Sequence, residues 1–581
     1  MSTISSHRAQ RHSLFIATVA AVLLVGGILP LSAQDISQIG KSDPLIITGS
    51  IGTNNTYYHS SYGAGYMSPL SNSVFANVNI SVYGLSLPFA VYYSNDNTSF
   101  SHPQLSFNIS PTYKNFTAHL GRSTIPFSNY ILNMSFNGVG LEYKGKKFRA
   151  SGFWGILQNA INDDPEDPNP RKAQYKRSAW GFSMGYSDKG NSIDLYMLRA
   201  YDAVNSIGEH WRHDIRPQEN LLVGLKGNVN FKNFLSLSAN VATSAFTADR
   251  ESKKVTSGDA TRFDKVFEAR YTSNVKFAGD AALSLNYKGF NTSVFYKIIQ
   301  PDYISLGTYY TSNNYHSLGI NFNGSIGRLS LSGSFSGQSD NLAKKMLYTN
   351  KGYVYSAMAS YSIGSHLSMS AMYNGYIQKQ TAGTVPVNDT TQVNRILHSF
   401  SFTPTYSISG DLLDHSASLS LNYTKNKDLN KFSVGMSDVE TMALGLSYNL
   451  GVRPWEMDFN ASYSHQRTKG FNTEYSSDVA SLSTGRGFLK DQSLNTSATI
   501  SLCYNDVKHT SKSLSMAFDL SASYTLKKVH SFSASASFSK YGDVNINKTR
   551  SSLDGTDIRL TLNYLYTFTL IEIKKKGEAK K

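Results

Sequence analysis

The stretch Leu560-Thr561-Leu562-Asn563-Tyr564-Leu565-Tyr566-Thr567-Phe568-Thr569-Leu570 decides the fold. Leu560, Leu562, Tyr564, Tyr566, Phe568 and Leu570 share one parity, and Thr561, Asn563, Thr567 and Thr569 take most of the other. Successive side chains of a strand point to opposite faces, so this segment has one apolar face and one hydroxyl and amide face. The same period of two recurs at Met442-Leu444-Leu446-Tyr448-Leu450, Met516-Phe518-Leu520-Ala522-Tyr524 and Trp180-Phe182-Met184-Tyr186.

A soluble sandwich also alternates, so the connections have to arbitrate. Short turns such as Tyr143-Lys144-Gly145-Lys146, Ser187-Asp188-Lys189-Gly190 and Tyr287-Lys288-Gly289-Phe290 are separated by longer polar stretches at 157–178, 200–218, 246–278, 377–396 and 467–492. Segments of about nine to eleven residues between short inner turns and long outer loops describe a tilted membrane strand pattern. The expectation is an all-β chain: a single transmembrane antiparallel up-and-down β-barrel of roughly 24–26 strands, without a plug domain, over residues 45–573. A literal count of segments is odd, which conflicts with both termini lying on one side, and the ambiguity falls after residue 467.

Composition agrees. Aromatics reach 12%, with 37 Tyr and 31 Phe, while charged residues are 16%, against about 25% in an ordinary soluble domain. Beyond Gln34 no apolar run is long enough for a membrane helix. Alternating strands bury aromatic surface without such runs.

The first residues show a secretory signal layout over 1–33. Arg8 and Arg11 precede an apolar run from Leu14 to Leu29, Pro30 breaks it, and Leu31-Ser32-Ala33 offers a small residue before Gln34. Cys503 is the one cysteine, so no thiol stands at the cleavage point to carry a lipid, and disulfides do not hold the fold. Residues 34–44 are expected to form a short periplasmic segment, too short for the plug of an energy-coupled receptor. The tail 574–581, five Lys and one Glu, is expected to be a solvated basic extension. The formal charge of +15 points, for an exported chain, to the lipid bilayer and its lipopolysaccharide, or to envelope proteins, rather than to nucleic acid.

Several stretches resemble a largely uncharacterised family of Bacteroidetes-type outer-membrane β-barrels. They are Leu45-Ile46-Ile47-Thr48-Gly49-Ser50-Ile51-Gly52, Leu87-Pro88-Phe89 before Tyr92-Tyr93-Ser94, Asn137-Gly138-Val139-Gly140-Leu141-Glu142-Tyr143, and the strand-to-loop exit Pro301-Asp302-Tyr303-Ile304-Ser305-Leu306-Gly307. The resemblance implies a Gram-negative outer-membrane location and, for some barrels of this type, a place in assembly or secretion machines. These motifs are structural, with glycines and aromatics at strand ends.

No catalytic, cofactor or metal constellation stands out. The 14 His are scattered and none forms HExxH. The acidic run Asn162-Asp163-Asp164-Pro165-Glu166-Asp167-Pro168-Asn169-Pro170 offers oxygens for calcium but lacks the spaced glycine of a known loop, so a solvated outer loop is the expectation. With the apolar parity facing lipid, Glu142, Arg149, Lys226, Asp458 and Asp519 fall on the lumen side. A charge turned to lipid near the midplane would cost about 2–4 kcal/mol. Most other inward positions are Ser, Thr and Asn, which fits a wet, weakly charged interior or one filled by folded-in loops. The expected function is a porin-like passage for small solutes, without enzymatic activity. The alternative is a structural or assembly/secretion-machine subunit.

Overall fold

The computed structural model describes residues 43–61, 69–95, 105–162, 171–232, 234–310, 312–433, 435–543 and 555–573. The expected signal peptide, the segment 34–42, the acidic residues Asp163 to Pro170 and the tail 574–581 lie outside the described residues.

All the strands belong to one antiparallel sheet, in which each strand pairs with its neighbours in the chain. The first, Leu45–Ser60, pairs with the last, Gly555–Ile573, so the sheet closes. Twenty-seven strands are present among the described residues. Two of them, Leu105–Ile109 and Thr112–Tyr113, fill a single place between Leu85–Ser94 and Phe116–Ser123. The wall therefore has 26 strand positions. An even number brings both termini to one rim, and that rim carries the tight turns, including Tyr83-Gly84, Lys189-Gly190 and Lys288-Gly289, where both turn residues have positive φ. Such turns follow the twist of the flanking strands, and a glycine at the second position takes the left-handed conformation without a Cβ penalty.

Two sequence expectations need correction. The stretch 467–492 is not a loop. The strand Met457–Lys469 runs into it, and the whole strand Glu474–Phe488 lies inside it. Its outer connection, 470–473, and the next, 508–510, are as short as the inner turns. The long-loop rhythm fails there, and the missed strand accounts for the odd count. Strands are also longer than expected: Leu45–Ser60 has 16 residues and Gly555–Ile573 has 19. Hairpins such as Tyr348–Ile363 with Leu367–Ala382 continue past the membrane because cross-strand bonds persist there. This is also why 377–396 narrows to a connection at 383–393.

The outward parity is the apolar one. Ile193, Leu195, Leu225, Leu237, Val241, Leu283, Leu446, Phe518 and Leu562 are all exposed on it, as a lipid-facing band requires. Among the described residues no helix is long and apolar enough to cross a membrane. The span is made by strands, and the chain is an outer-membrane β-barrel.

Candidate functional site

The inner face of the barrel differs between its two arcs. From Tyr348–Ile363 round to Gly555–Ile573 it is mainly Ser, Thr and Asn, half-buried or exposed. From Phe136–Lys144 round to Tyr315–Ile326 its outer half is apolar and covered. Leu198, Ala200, Leu222, Ala242 and Ala278 point inward there and are at most 2% exposed. What covers them is chain folded into the lumen: the connection 124–135 and the connection 300–314, whose Ile125, Tyr130, Ile131, Leu132, Tyr303 and Leu306 form one cluster with this wall.

Small residues make room for these segments. A Cβ on Gly224 would stand 2.6 Å from Ile131 Cδ1, one on Gly140 2.9 Å from Ile125 Cδ1, and one on Gly307 2.4 Å from the Ile131 carbonyl. The close approach, not a turn, is what requires glycine at these places. The motif Asn137-Gly138-Val139-Gly140 is thus half of a cradle.

Polar groups bolt the segments to each other and to the wall. Tyr303 OH donates to the Tyr130 carbonyl at 2.9 Å and Ser305 Oγ to the Ile131 carbonyl at 2.6 Å. The Asn133 amide donates to the Gly307 carbonyl at 3.0 Å. From the wall, Asn220, fully buried, donates through Nδ2 to Ser244 Oγ at 2.8 Å and accepts the Leu306 amide at 3.1 Å. Ser244 Oγ in turn donates to the Ile304 carbonyl at 2.6 Å. Ser128 Oγ donates to Asn240 Oδ1 at 2.8 Å, and Tyr130 OH to Asp280 Oδ1 at 2.6 Å. Burial first, and the Asp280 carboxylate second, push the Tyr130 phenol far above its ordinary value; burial alone raises Tyr303. Both stay neutral donors. Buried polar groups satisfied this fully hold one arrangement.

Beneath the clamp runs a row of inward side chains. Arg149, Gly185, Asp194, Lys226, Asn240, Asp280 and Lys297 are successive cross-strand partners on seven neighbouring strands. Arg149 forks onto Asp194 through Nε and Nη2, both at 2.6 Å, a charge-assisted bidentate pair. Gly185 lies between them, and a Cβ there would fall 2.1 Å from Asp194 Oδ1. Lys297 lies over the rings of Tyr130 and Tyr315 at 5.8 and 5.6 Å.

Of the five residues singled out from sequence, Arg149 and Lys226 stand in this row. Glu142 is buried nearby, held by His119 Nε2 and Lys144 Nζ, each at 2.7 Å. Asp458 and Asp519 are exposed on the other arc, Asp458 between Gly451 and Gly485 and Asp519 between Thr499 and Ser537, and they meet none of the others. Sequence reasoning missed Asp194, Asp280, Lys297, Asn220 and both tyrosines. One signal was available. The strand Asn191–Asp202 has Ile193, Leu195 and Met197 on one parity but Tyr196, Leu198 and Ala200 on the other. Apolar residues on both faces mean that something packs inside as well as outside.

The connection 248–272 behaves differently again. It folds down over the outer face of the same arc, where Ala260, Phe267 and Ala269 bury the outward Leu221 and Ala245. Glu219 beneath it accepts from Arg199 Nη2 at 2.6 Å and Arg250 Nε at 3.0 Å. From the acidic stretch only Asn162 is described, and its Oδ1 accepts the Gly208 amide at 2.8 Å.

No known family profile and no curated protein matches the chain. Among solved structures it is similar to the Acinetobacter baumannii protein OccAB3, at 12% identity over 66% of this chain and 99% of that one, with a TM-score of 0.31. It is similar to the translocation pore of the P pilus usher PapC, at 10% identity over 90% and 100%, with a TM-score of 0.36. A third likeness is Pseudomonas aeruginosa OpdL, at 12% identity over 68% and 99%, with a TM-score of 0.30. Superposition this loose carries no information about what the lumen admits.

Proposed function

We propose that this outer-membrane barrel is a porin-like passive channel for small polar solutes, narrowed along one wall by the clamp of 124–135 and 300–314. The observation that carries this reading is the asymmetry of the lumen. One arc holds a fixed, fully bonded clamp over a charged row, and the other presents exposed hydroxyl and amide groups. Barrels of more than twenty strands enclose a wide lumen, and a fixed inward clamp with charges beside it is what sets size and ion preference in a pore. Charges of both signs alternate along the row, which supports weak ion selectivity. The chain acts without enzymatic chemistry, and lipopolysaccharide and the bilayer are its proposed surroundings. The purified chain in planar bilayers should give discrete, voltage-tolerant conductance steps; a folded barrel that never conducts would overturn the proposal.

A second reading is favoured by the strap 248–272. A loop packed outside the wall offers protein surface where lipid would otherwise lie, which supports a structural or assembly/secretion-machine subunit, as the resemblance to Bacteroidetes-type barrels also implies. Co-purification of other envelope proteins in mild detergent, lost on deletion of 253–268, would favour it over a solitary channel.

A further inference from the structure

We propose that an outward lysine cluster at the outer end of the barrel binds the phosphorylated headgroup of an outer-leaflet glycolipid of the lipid A type. The inference rests on the barrel spanning the outer membrane and is independent of whether the lumen conducts. Its centre is Lys351 on Tyr348–Ile363 and Lys379 on Leu367–Ala382, which are direct cross-strand partners. Both share the parity of Tyr353, Tyr355 and Ile377, the lipid-facing one, and both are exposed. Lys427 lies on the same face two strands along, reached through the partners Ile377, Ile396 and Lys427. Neighbouring strands are about 4.8 Å apart, so three ammonium groups share a small patch. Lys344 and Lys345 add to it from the connection above.

None of these five lysines makes an ion pair among the described residues, whereas other lysines of the same rim do. Lys425 pairs with Glu440, Lys508 with Glu474, and Lys512 with Asp506. The acids beside the patch are engaged elsewhere: Asp340 accepts the Asn350 amide and side chain, Asp428 the Asn430 amide and Asp438 the Asp428 amide, while Glu440 pairs with Lys425. Like charges directly opposite in a ladder repel. An anion supplied from outside the chain would relieve the pair.

The height of the patch says which anion. Lys351 and Lys379 are one outward step above Tyr353 and Ile377, where the apolar band ends. Aromatic side chains mark that boundary and lysines extend from it into the headgroup layer. What touches the outward face of a membrane barrel at that level is lipid headgroup. A phosphate monoester, with several acceptor oxygens and close to two charges, can take donors from more than one ammonium at once.

The test uses the full-length chain in a neutral sugar detergent, titrated with lipid A or with the same lipid stripped of its phosphates, and read by native mass spectrometry and thermal unfolding. Wild type is expected to hold the phosphorylated lipid at least about tenfold more tightly than the stripped one. Lys351→Gln with Lys379→Gln should lose about tenfold or more, while Lys189→Gln with Lys288→Gln, at the opposite rim, keeps wild-type affinity. Without lipid the Lys379→Gln variant should melt no lower than wild type, since a repulsion is removed; with lipid A its gain in melting temperature should be the smaller. Equal affinity of the Lys351/Lys379 variant and wild type, equal binding of stripped lipid, an equal loss at the opposite rim, or the same stabilisation by inorganic phosphate alone would each overturn the proposal. Conductance plays no part in these readouts, so a failed channel reading and a failed lipid site are told apart.

Discussion

Asn220→Ala is the sharpest perturbation of the luminal clamp. Asn220 is completely buried and joins the wall to the in-folded segment through the Leu306 amide. It also holds Ser244 Oγ and the Ala245 carbonyl at 2.8 and 3.0 Å. Truncation leaves the Leu306 N–H buried without a partner, which costs the docked segment about 1–3 kcal/mol. The other two bonds run within the wall, to the strand Leu235–Thr247, so their loss is shared by the docked and undocked states. The Ser244 hydroxyl keeps its bond to the Ile304 carbonyl and the strand Glu219–Phe231 keeps its ladder bonds to both neighbours, so a loss of about 2 kcal/mol falls on docking of the segment and not on the barrel. A shift of about 2 kcal/mol multiplies the undocked population by about thirty.

Single-channel recording reads that population as added open-state noise and a second conductance level. The heat-dependent gel shift of folded barrels checks that the wall is intact. Tyr303→Phe, which loses one bond and no volume, should give a graded effect of about 1 kcal/mol. If Asn220→Ala forms a folded barrel whose conductance and noise match wild type at all voltages, the clamp is not held by this network and the reasoning fails.

Asp194→Asn removes the carboxylate from a row in which Arg149 and Lys226 flank it, so reversal potentials under a salt gradient should move toward anion preference; an unchanged potential would place the row off the permeation path. Gly185→Val should move the potential less than Asp194→Asn, because its side chain occupies the gap through which Arg149 reaches Asp194 but leaves both charges in the row. The raised phenols of Tyr130 and Tyr303 have a pH consequence. A group whose folded pKa lies above its unfolded value of about 10 contributes docking stability that is intact below pH 10 and lost as pH rises through the folded pKa. Spectroscopic titration of the folded barrel should therefore show a fraction of tyrosines that ionises late, and Tyr130→Phe with Tyr303→Phe should shrink that lagging fraction. Phe267→Ala empties the centre of the outer strap at a cost of about 3–5 kcal/mol, and trypsin should then cut at Lys253, Lys254, Arg262 or Lys265 much faster than in wild type while the barrel survives.

The wall was legible in the sequence wherever one face meets lipid and the other meets water. Leu560 to Leu570 alternates because its two environments differ, and the structure pairs it as an ordinary outer-wall strand. Legibility ended where a third environment intrudes. The stretch Asn220-Leu221-Leu222-Val223-Gly224-Leu225 gives no clean period because Leu222 and Gly224 face a buried segment while Leu221 faces the strap. Pro301 to Gly307 reads as a loop exit because its polar and apolar residues follow no period; its partners, Ile131, Asn220 and Leu198, are set by contacts across the lumen that no local pattern encodes. The charges divide in the same way. Arg149 and Lys226 were visible by parity alone, but their partnership with Asp194 depends on the register of four strands.

The clamp and the strap act on the same stretch of wall, and this follows from the physics of a single sheet. A one-layer wall between lipid and water bends easily, since nothing packs against its wet side. Between Asn191–Asp202 and Ser273–Tyr287 the outer half of the sheet is instead the middle of three layers, with Leu198, Leu222 and Ala242 packed inward and Leu221 and Ala245 packed outward. Interiors of this kind are close-packed and resist deformation. The charged row lies at the inner margin of that stiff block, where two bonds join Arg149 to Asp194 and Asp280 accepts from Tyr130. The opposite arc carries neither layer among the described residues, and a single-layer wall is the more compliant. A fixed set of charges facing a compliant wall keeps the ion preference of the lumen constant while its width fluctuates. Conductance should therefore vary between channels more than reversal potential does, and the reverse pattern would place the stiff element on the other arc.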